Sequence, residues 1–376
     1  MPLSPLEGSG PRCSAEIDLS ALRHNVRTCQ EISGPDSGVM AVVKADAYGH
    51  GLKPVVAALE SEVDWFGVAN LQEAETVRLA SPEGKPVLIL SPALPDEYRR
   101  IVSGRHSACV STVEEIESYD EVAGALRGKA KLHLAVDTGM GRMGVSPGHF
   151  KELVQKIEAS ENCVLEGVGS HFPSADEDVD FTVKQIESFA RLLKSVSLPA
   201  NTVVHLANSA GLIGFSEKMP FTTLSRPGLA IYGVSPLPGR ANELRPALKW
   251  KARVTLVREL PAGWGVSYGR TFVTEKPMQV ATLSAGYGDG YPRHASGNGA
   301  DVLINETRCP ILGRVTMDQI VVDVSHLQNV SRGEEAILIG SQGDEIISAA
   351  EIAEKAGTIP WEIFTGLTAR VERAYR

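Results

Sequence analysis

Apolar runs recur along the first two thirds of the chain, at 39–43, 65–69, 87–90, 106–110, 132–136, 164–170, 203–207 and 229–232. Each is followed by a segment of helical periodicity or a short loop. Short runs rich in β-branched residues and bounded by Gly, Pro, Asn or Ser read as strands covered on both faces. Helices are predicted over 52–62, 71–80, 112–126, 147–159 and 181–196, several opened by Ser, Thr, Asn or Pro at the cap or first position. Ahead of the first run, residues 15–19 alternate like an edge strand, and Ser20 reads as the cap of a helix reaching Ile32. Eight strand–helix repeats predict a parallel sheet closed into a (β/α)8 barrel, with an open doubly wound sheet as the alternative.

The rhythm stops near Ser235. Pro236, Pro238, Gly239 and Pro246 mark a linker, and the runs at 251–257, 280–283, 311–315, 320–324 and 336–339 predict strands joined by turns. A short helix over 349–356, a segment at 361–367 and a last strand at 369–374 complete the chain. The fold class is therefore α/β plus β: an N-terminal (β/α)8 TIM-like barrel and a C-terminal mainly β domain. The expected division is a disordered tail at 1–12, a barrel domain at 13–240 and a β domain at 241–376.

The first apolar run carries the chemistry. It ends in Lys44 and passes into Ala45-Asp46-Ala47-Tyr48-Gly49-His50-Gly51, read as a glycine-rich loop. Strand alternation puts Met40, Val42 and Lys44 on one face. An amine held over an apolar floor loses hydration of its charged form, so its pKa falls and the neutral nucleophile that Schiff-base chemistry needs becomes available. Taken alone, Lys44 reads rather as a strand-end lysine that simply reaches into water; the rest of the chain reverses that reading.

Charge and cysteine content narrow the class. The 376 residues carry a net charge of −9, with 37 Lys and Arg scattered rather than striped, so nucleic acid is not the expected partner. The five cysteines are odd in number and far apart, without a Cys-x-x-Cys pair, which predicts reduced thiols and neither a disulfide framework nor a zinc site. No signal-peptide pattern and no run of transmembrane length is readable, so the expectation is a soluble, cytoplasmic protein without a membrane partner.

In a barrel, functional groups gather where strands end. Asp137 to Gly144 puts Arg142 in a loop at the mouth. Gly167, Gly169 and His171 share a strand face, and inward glycines leave space for a planar ligand. His205 to Gly211 ends in Asn208 and Ser209, a hydroxyl followed by backbone amides at a helix start and suited to phosphate. Ser225-Arg226-Pro227-Gly228-Leu229 adds a cation and a small-residue loop. Singly, His171 reads as a structural histidine, Arg226 as a surface ion pair and Ser209 as a helix cap; their position on consecutive strand ends favours a site. Gly139-x-Gly141-x-x-Gly144 matches a dinucleotide fingerprint but follows the fifth strand, with the helix starting only after Pro147, which argues against a dinucleotide. No Gly-x-Ser-x-Gly or His-Glu-x-x-His motif is present.

These segments resemble those of bacterial alanine racemases, pyridoxal phosphate enzymes of fold type III. The likeness runs through Ala15-Glu16-Ile17-Asp18, the highly specific Val42 to Gly51 segment, Asp137 to Gly144, Gly228 to Gly233, Gly265 to Gly269, Gly286 to Arg293 and Gly313 to Asp318. It covers both halves of the chain, whereas stand-alone pyridoxal phosphate barrels share only the first.

The resemblance implies interconversion of L- and D-alanine by two bases on opposite faces, Lys44 and Tyr268, with Tyr268 supplied by the other subunit of a homodimer. It implies that Lys44 carries the cofactor as a Schiff base, and that Tyr48, Asn208, Ser209, Gly228 and Leu229 lie about it, Tyr48, Ser209 and the Gly228-Leu229 loop on its phosphate. Arg226 would contact the pyridine nitrogen and keep it unprotonated, with His171 supporting Arg226. Arg142 would bond the phenolic oxygen and the substrate carboxylate, helped by the Met317 backbone N–H. No metal is implied. The product would be D-alanine for peptidoglycan. Two positions depart from the family pattern: Ala135 stands where many members carry a carbamylated lysine, and Ala369 where many carry a tyrosine. The first leaves Arg142 in need of another anion; the second enlarges the pocket toward serine. The alternatives are a decarboxylase of the same cofactor and architecture, whose cysteine-centred C-terminal motif has no match here, and a non-catalytic cofactor carrier, which would not need the β domain.

Overall fold

The computed structural model describes residues 10–237, 239 and 243–376. They fall into two compact units, one formed by Ser20–Ala47 and Gly51–Arg245, the other by the chain up to Leu19 with Tyr48–His50 and Pro246–Arg376. Residues 1–9 of the expected tail and Pro238 of the expected linker lie outside the described residues.

The first unit is a closed barrel of eight parallel strands, β2 (Gly38–Val42), β3 (Trp65–Val68), β4 (Val87–Ile89), β5 (Ser107–Val110), β6 (Ala130–Ala135), β7 (Cys163–Gly169), β8 (Val203–His205) and β9 (Leu224–Ser225). Closure, which periodicity cannot reveal, is made by β9 on β2, with Gly38 opposite Leu224 and Val39 opposite Ser225. Helices follow where the caps predicted them: Asn70 caps Leu71–Ala80 and Thr112 caps Val113–Ala125, each side chain accepting an N–H of the first turn. The cap position of the first helix is one departure in this unit. Leu19–Ser33 begins ahead of Ser20, which is its second residue.

Another departure is the eighth strand, expected at 229–232. Those residues form a tight 3-10 turn, and the strand is the two residues Leu224–Ser225. Pro227 cannot donate to a ladder, and after it the buried Ser209 hydroxyl accepts N–H bonds from Gly228 and Ala230, folding the chain back. The run Leu229–Tyr232 is apolar because it is buried, which a short run shares whether it is strand or turn. Inside the barrel Met40, Leu88, Cys109 and Leu224 pack together under Trp65, Leu90, Met143 and Val203. Each large apolar side chain so buried contributes roughly 1.5–3 kcal/mol.

The second unit is built on β10 (Leu248–Leu260), whose alternate residues are buried. It pairs antiparallel with β1 (Cys13–Ile17), with Glu335–Gln342 and, further along, with Met278–Leu283. This corrects two expectations. Residues 13–19 belong with the C-terminal sheet, not with the barrel, and β1 is not an edge, because Glu372–Tyr375 pairs on its other side. Its alternation reflects a sheet with one face covered, where Trp250 is fully buried and its indole N–H donates to Cys13 Sγ at 3.1 Å. Gly10 and Arg12, assigned to the tail, are held by Arg253 and Ser284. The strand expected at 311–315 lies earlier, at Thr307–Pro310. Gly313 is left-handed and passes so close to Val266 that a Cβ would sit 2.6 Å from its carbonyl oxygen. The last strand likewise begins at Glu372, and Ala369 occupies an exposed turn.

Candidate active site

Lys44 stands just past the end of β2. The expected loose loop is instead a left-handed turn: Ala45, Asp46, Ala47 and Tyr48 all have φ between 52 and 54°. Non-glycine residues pay roughly 1–2 kcal/mol each for that conformation, so four in succession need support. Within the barrel unit it comes from carboxylates. Glu73 accepts from the N–H of Ala45 and of Ala69, both at 2.8 Å, and Asp46 accepts from the N–H of Leu52 at 2.7 Å. The pKa of the Lys44 amine is lowered, first by burial, then by the positive charge of Arg142 and, more weakly, of Arg226; Glu73 opposes.

Arg226 follows β9 and its side chain is buried. One terminal nitrogen, Nη2, donates to the carbonyl of Ser170, to His171 Nδ1 at 3.2 Å and to the carbonyl of Leu206 at 3.5 Å. Its Nε–H is buried with no partner among the described residues. Burial holds the guanidinium down to about 10, with Arg142 acting in the same direction, so it is still a cation at neutral pH. Burial, with the charges of Arg226, Arg142 and Lys44, holds His171 down to about 3, so its imidazole is neutral and accepts at Nδ1.

The loop after β6 is tied to Asp137, whose carboxylate accepts N–H bonds from Gly139, Met140 and Gly141. Burial would raise this carboxyl, but those N–H donors outweigh it and hold it low. The glycines of the dinucleotide-like motif thus serve a turn around Asp137, and a Cβ on Gly144 would meet the backbone at 2.7 Å. Arg142 is exposed on this loop and makes no ion pair among the described residues.

Two expectations about the mouth are corrected. The inward space at Gly167 and Gly169 is not open to a planar ligand: a Cβ at Gly167 would lie 2.2 Å from His133 Nδ1, and one at Gly169 2.1 Å from His205 Cε1, so imidazole rings occupy it. Nor are all the amides at 209–211 free, because Asn208 Oδ1 accepts from Gly211 N–H and Asn208 Nδ2 donates to Phe172. Ser209 Oγ, already accepting two N–H bonds, has its own hydrogen to donate.

The barrel unit therefore brings together Lys44, Arg142, His171, Asn208, Ser209, Arg226, Gly228 and Leu229. Tyr48, Tyr268 and Met317 fall in the other unit. There Tyr268 is 69% exposed and Met317 52% exposed. Tyr268 follows Ser267, whose φ of 59° is unusual for a serine and whose hydroxyl donates to the Arg314 carbonyl at 2.5 Å. Buried Tyr48 has its phenol pushed far up by burial.

The alanine racemase N-terminal domain family matches residues 17–236 and the C-terminal domain family residues 247–375. The chain belongs to the alanine racemase family. An alanine racemase of Halothermothrix orenii is 40% identical over 371 residues, covering 96% of each chain. The solved alanine racemase of a D-cycloserine-producing Streptomyces lavendulae superposes with a TM-score of 0.90 at 35% identity, over 98% of both chains. That of Bartonella henselae, solved with covalently bound pyridoxal phosphate, gives 0.89 at 30% identity over 98% of this chain and 100% of that one. The racemase barrel in this chain also holds functional candidates that sequence reading passed over: Glu73 beneath Lys44, and the interior groups His133, Glu166 and His205. Their signal was the pairing of inward glycines with histidines on the neighbouring strands.

Among the described residues no helix is long and apolar enough to cross a membrane.

Proposed function

We propose that this protein interconverts L-alanine and D-alanine with pyridoxal phosphate covalently held at Lys44. The observation that carries the reading is the cluster of three cations, Lys44, Arg142 and Arg226, in which burial first and mutual repulsion second lower the amine and which asks for an anionic ligand. Pyridoxal phosphate fits it. A phosphate suits the Ser209 hydroxyl and the Gly228-Leu229 turn, and the buried, unpartnered Arg226 Nε–H suits a ring nitrogen that accepts a hydrogen bond and therefore carries no proton. Bound, the cofactor supplies the electron sink that acidifies the substrate Cα–H.

The chain's own residues do the rest. Lys44 Nζ, lowered so that its neutral form is accessible, accepts or returns the Cα proton on one face. The Tyr268 phenol does so on the opposite face, and its exposure suits a group offered to a second subunit, so the working form is a homodimer with shared sites. Arg142 neutralises the substrate carboxylate, with the Met317 N–H beside it. His171 fixes the Arg226 guanidinium, and the buried Tyr48 hydroxyl, kept protonated, donates to phosphate. Arg226 would hold the cofactor's ring nitrogen without a proton, which would disfavour transamination.

The test is chiral analysis of alanine after incubation of the cofactor-loaded protein with either enantiomer, with released carbon dioxide trapped. Approach to a racemic mixture from both sides is expected. Carbon dioxide release would replace this reading with decarboxylation, and no change in either with carrier function.

A further inference from the structure

Four polar side chains, Ser107, His133, Glu166 and His205, lie together in the barrel interior with Lys131 at their edge, and none has a role in the reaction above. Glu166 sits at an irregularity where β6 and β7 slip register between Leu132 and His133. Its carboxylate meets Lys131 Nζ at 2.8 Å, the Ser107 hydroxyl and His133 Nε2 at 3.3 Å. His133 Nδ1 lies 2.9 Å from His205 Nε2, and both rings are buried over their glycines. His205 ends β8, and Arg226 Nη2 bonds the carbonyl of the next residue, Leu206. His205 Nδ1 is buried and has no partner among the described residues.

These contacts fix the protons. Burial would raise the Glu166 carboxyl, but its bonds to His133, Lys131 and Ser107 hold it down to about 2, so it is ionised and accepts only. Burial outweighs that carboxylate at His133 and leaves the imidazole neutral. His133 must then donate from Nε2 and present a bare Nδ1. His205, also neutral through burial and the charge of Arg226, must donate from Nε2 to that nitrogen. The proton is thereby forced off His205 Nδ1, which leaves a bare lone pair in the buried interior, on the residue ahead of the Leu206 carbonyl that Arg226 bonds. The opposite chain of tautomers would set an N–H beside a buried cation with no carboxylate of its own.

We propose that Glu166 is a positioning residue for Arg226: through His133 it locks His205 in the Nε2–H tautomer, so that the floor of the barrel gives the guanidinium an electron-rich surface to rest on. The consequence for catalysis rests on the role given to Arg226 above, while the tautomer itself does not. Because Arg226 serves both faces of the reaction alike, disturbing the line lowers both directions together.

The test is 15N NMR of the full-length, histidine-labelled protein, with and without cofactor, His133 and His205 being assigned by single substitutions. In the wild type His205 Nδ1 is expected to show the shift of a bare ring nitrogen and Nε2 that of a protonated one. Glu166→Gln presents either an N–H or a carbonyl to His133, so the His205 signals should move toward a mixture of tautomers. Ser107→Ala keeps the carboxylate and should leave them unchanged. In Glu166→Gln kcat should fall about tenfold in both directions with KM little altered, as for a buried group whose partner is compromised. A protonated His205 Nδ1 in the wild type overturns the proposal even if Glu166→Gln does not fold. So do His205 shifts indifferent to Glu166→Gln, or a loss confined to one enantiomer. A protein that shows the predicted tautomers but no racemisation refutes the proposed function and not this line.

Discussion

Gly169→Ala tests the packing on which the barrel interior depends. The added Cβ would lie 2.1 Å from His205 Cε1 and 2.3 Å from Nδ1, well inside contact distance. His205 cannot withdraw, since its ring is buried, bonded to His133 and packed against it at a tilt of 37° with centroids 5.1 Å apart. The backbone at Gly169 lies outside the left-handed region, so the substitution isolates a steric effect. Overpacking of this kind costs about 1–3 kcal/mol, and this site belongs at the upper end. Reduced freedom of the unfolded chain returns roughly 0.4–1 kcal/mol, leaving a net loss near ~2 kcal/mol. Urea unfolding should report it as a lower midpoint with an unchanged slope. Gly148→Ala, where a Cβ meets nothing within 4 Å, is the control and should stay within about 0.5 kcal/mol of the parent. In a His205→Ala background the alanine at 169 should cost much less, because the clash is gone. A loss below about 0.5 kcal/mol at Gly169, or the same loss with and without the His205 ring, would refute the reasoning.

Borohydride treatment of the cofactor-loaded protein should leave the label on the Lys44 peptide alone; a labelled lysine elsewhere would remove the assignment. Tyr268→Phe should impair Cα proton exchange from one alanine enantiomer far more than from the other, and mixing Lys44→Ala with Tyr268→Phe subunits should restore activity. Equal losses, or failure to complement, would count against a shared site. His133, His171 and His205 are all held below the ordinary 6.5, so the unfolded chain takes up protons that the native state refuses as pH falls through that value. Unfolding free energy should therefore drop on acidification from pH 6.5, by up to about 1.4 kcal/mol per pH unit for each group. Glu166 is also held below its ordinary value and so adds a loss of the same sign, but only below 4.5; flat stability between pH 6.5 and 5 would therefore contradict the burial of these rings. Arg142, with methyl-bearing Ala135 in place of a carbamylated lysine, should bind a small anion such as chloride and work without carbon dioxide; activity lost on exhaustive carbon dioxide removal would be the contrary result.

Much of this protein is legible in one dimension because strand, helix and cap signals are local. The runs ending at Lys44, His205 and Arg226, the caps Asn70 and Thr112, and the break after Ser235 each depend on neighbours within a few residues. The lysine segment and Arg226 stood out for the same reason. What lay beyond the sequence was decided by partners distant along the chain. β1 alternates like an edge strand, yet it is central because Glu372–Tyr375 returns to its far side. Leu229–Tyr232 reads as a strand until the Ser209 hydroxyl, some twenty residues earlier, turns it back. The glycines at 167 and 169 promised room, but barrel closure set His133 and His205 into it. The left-handed turn after Lys44 has no signature in alanines, because the bonds that help make four costly torsions tolerable, those accepted by Glu73 and Asp46 among them, are set by the fold. Local pattern named the groups that do chemistry; barrel closure, which brings strands 30 to 70 residues apart into contact, set the burial and charge that tune them.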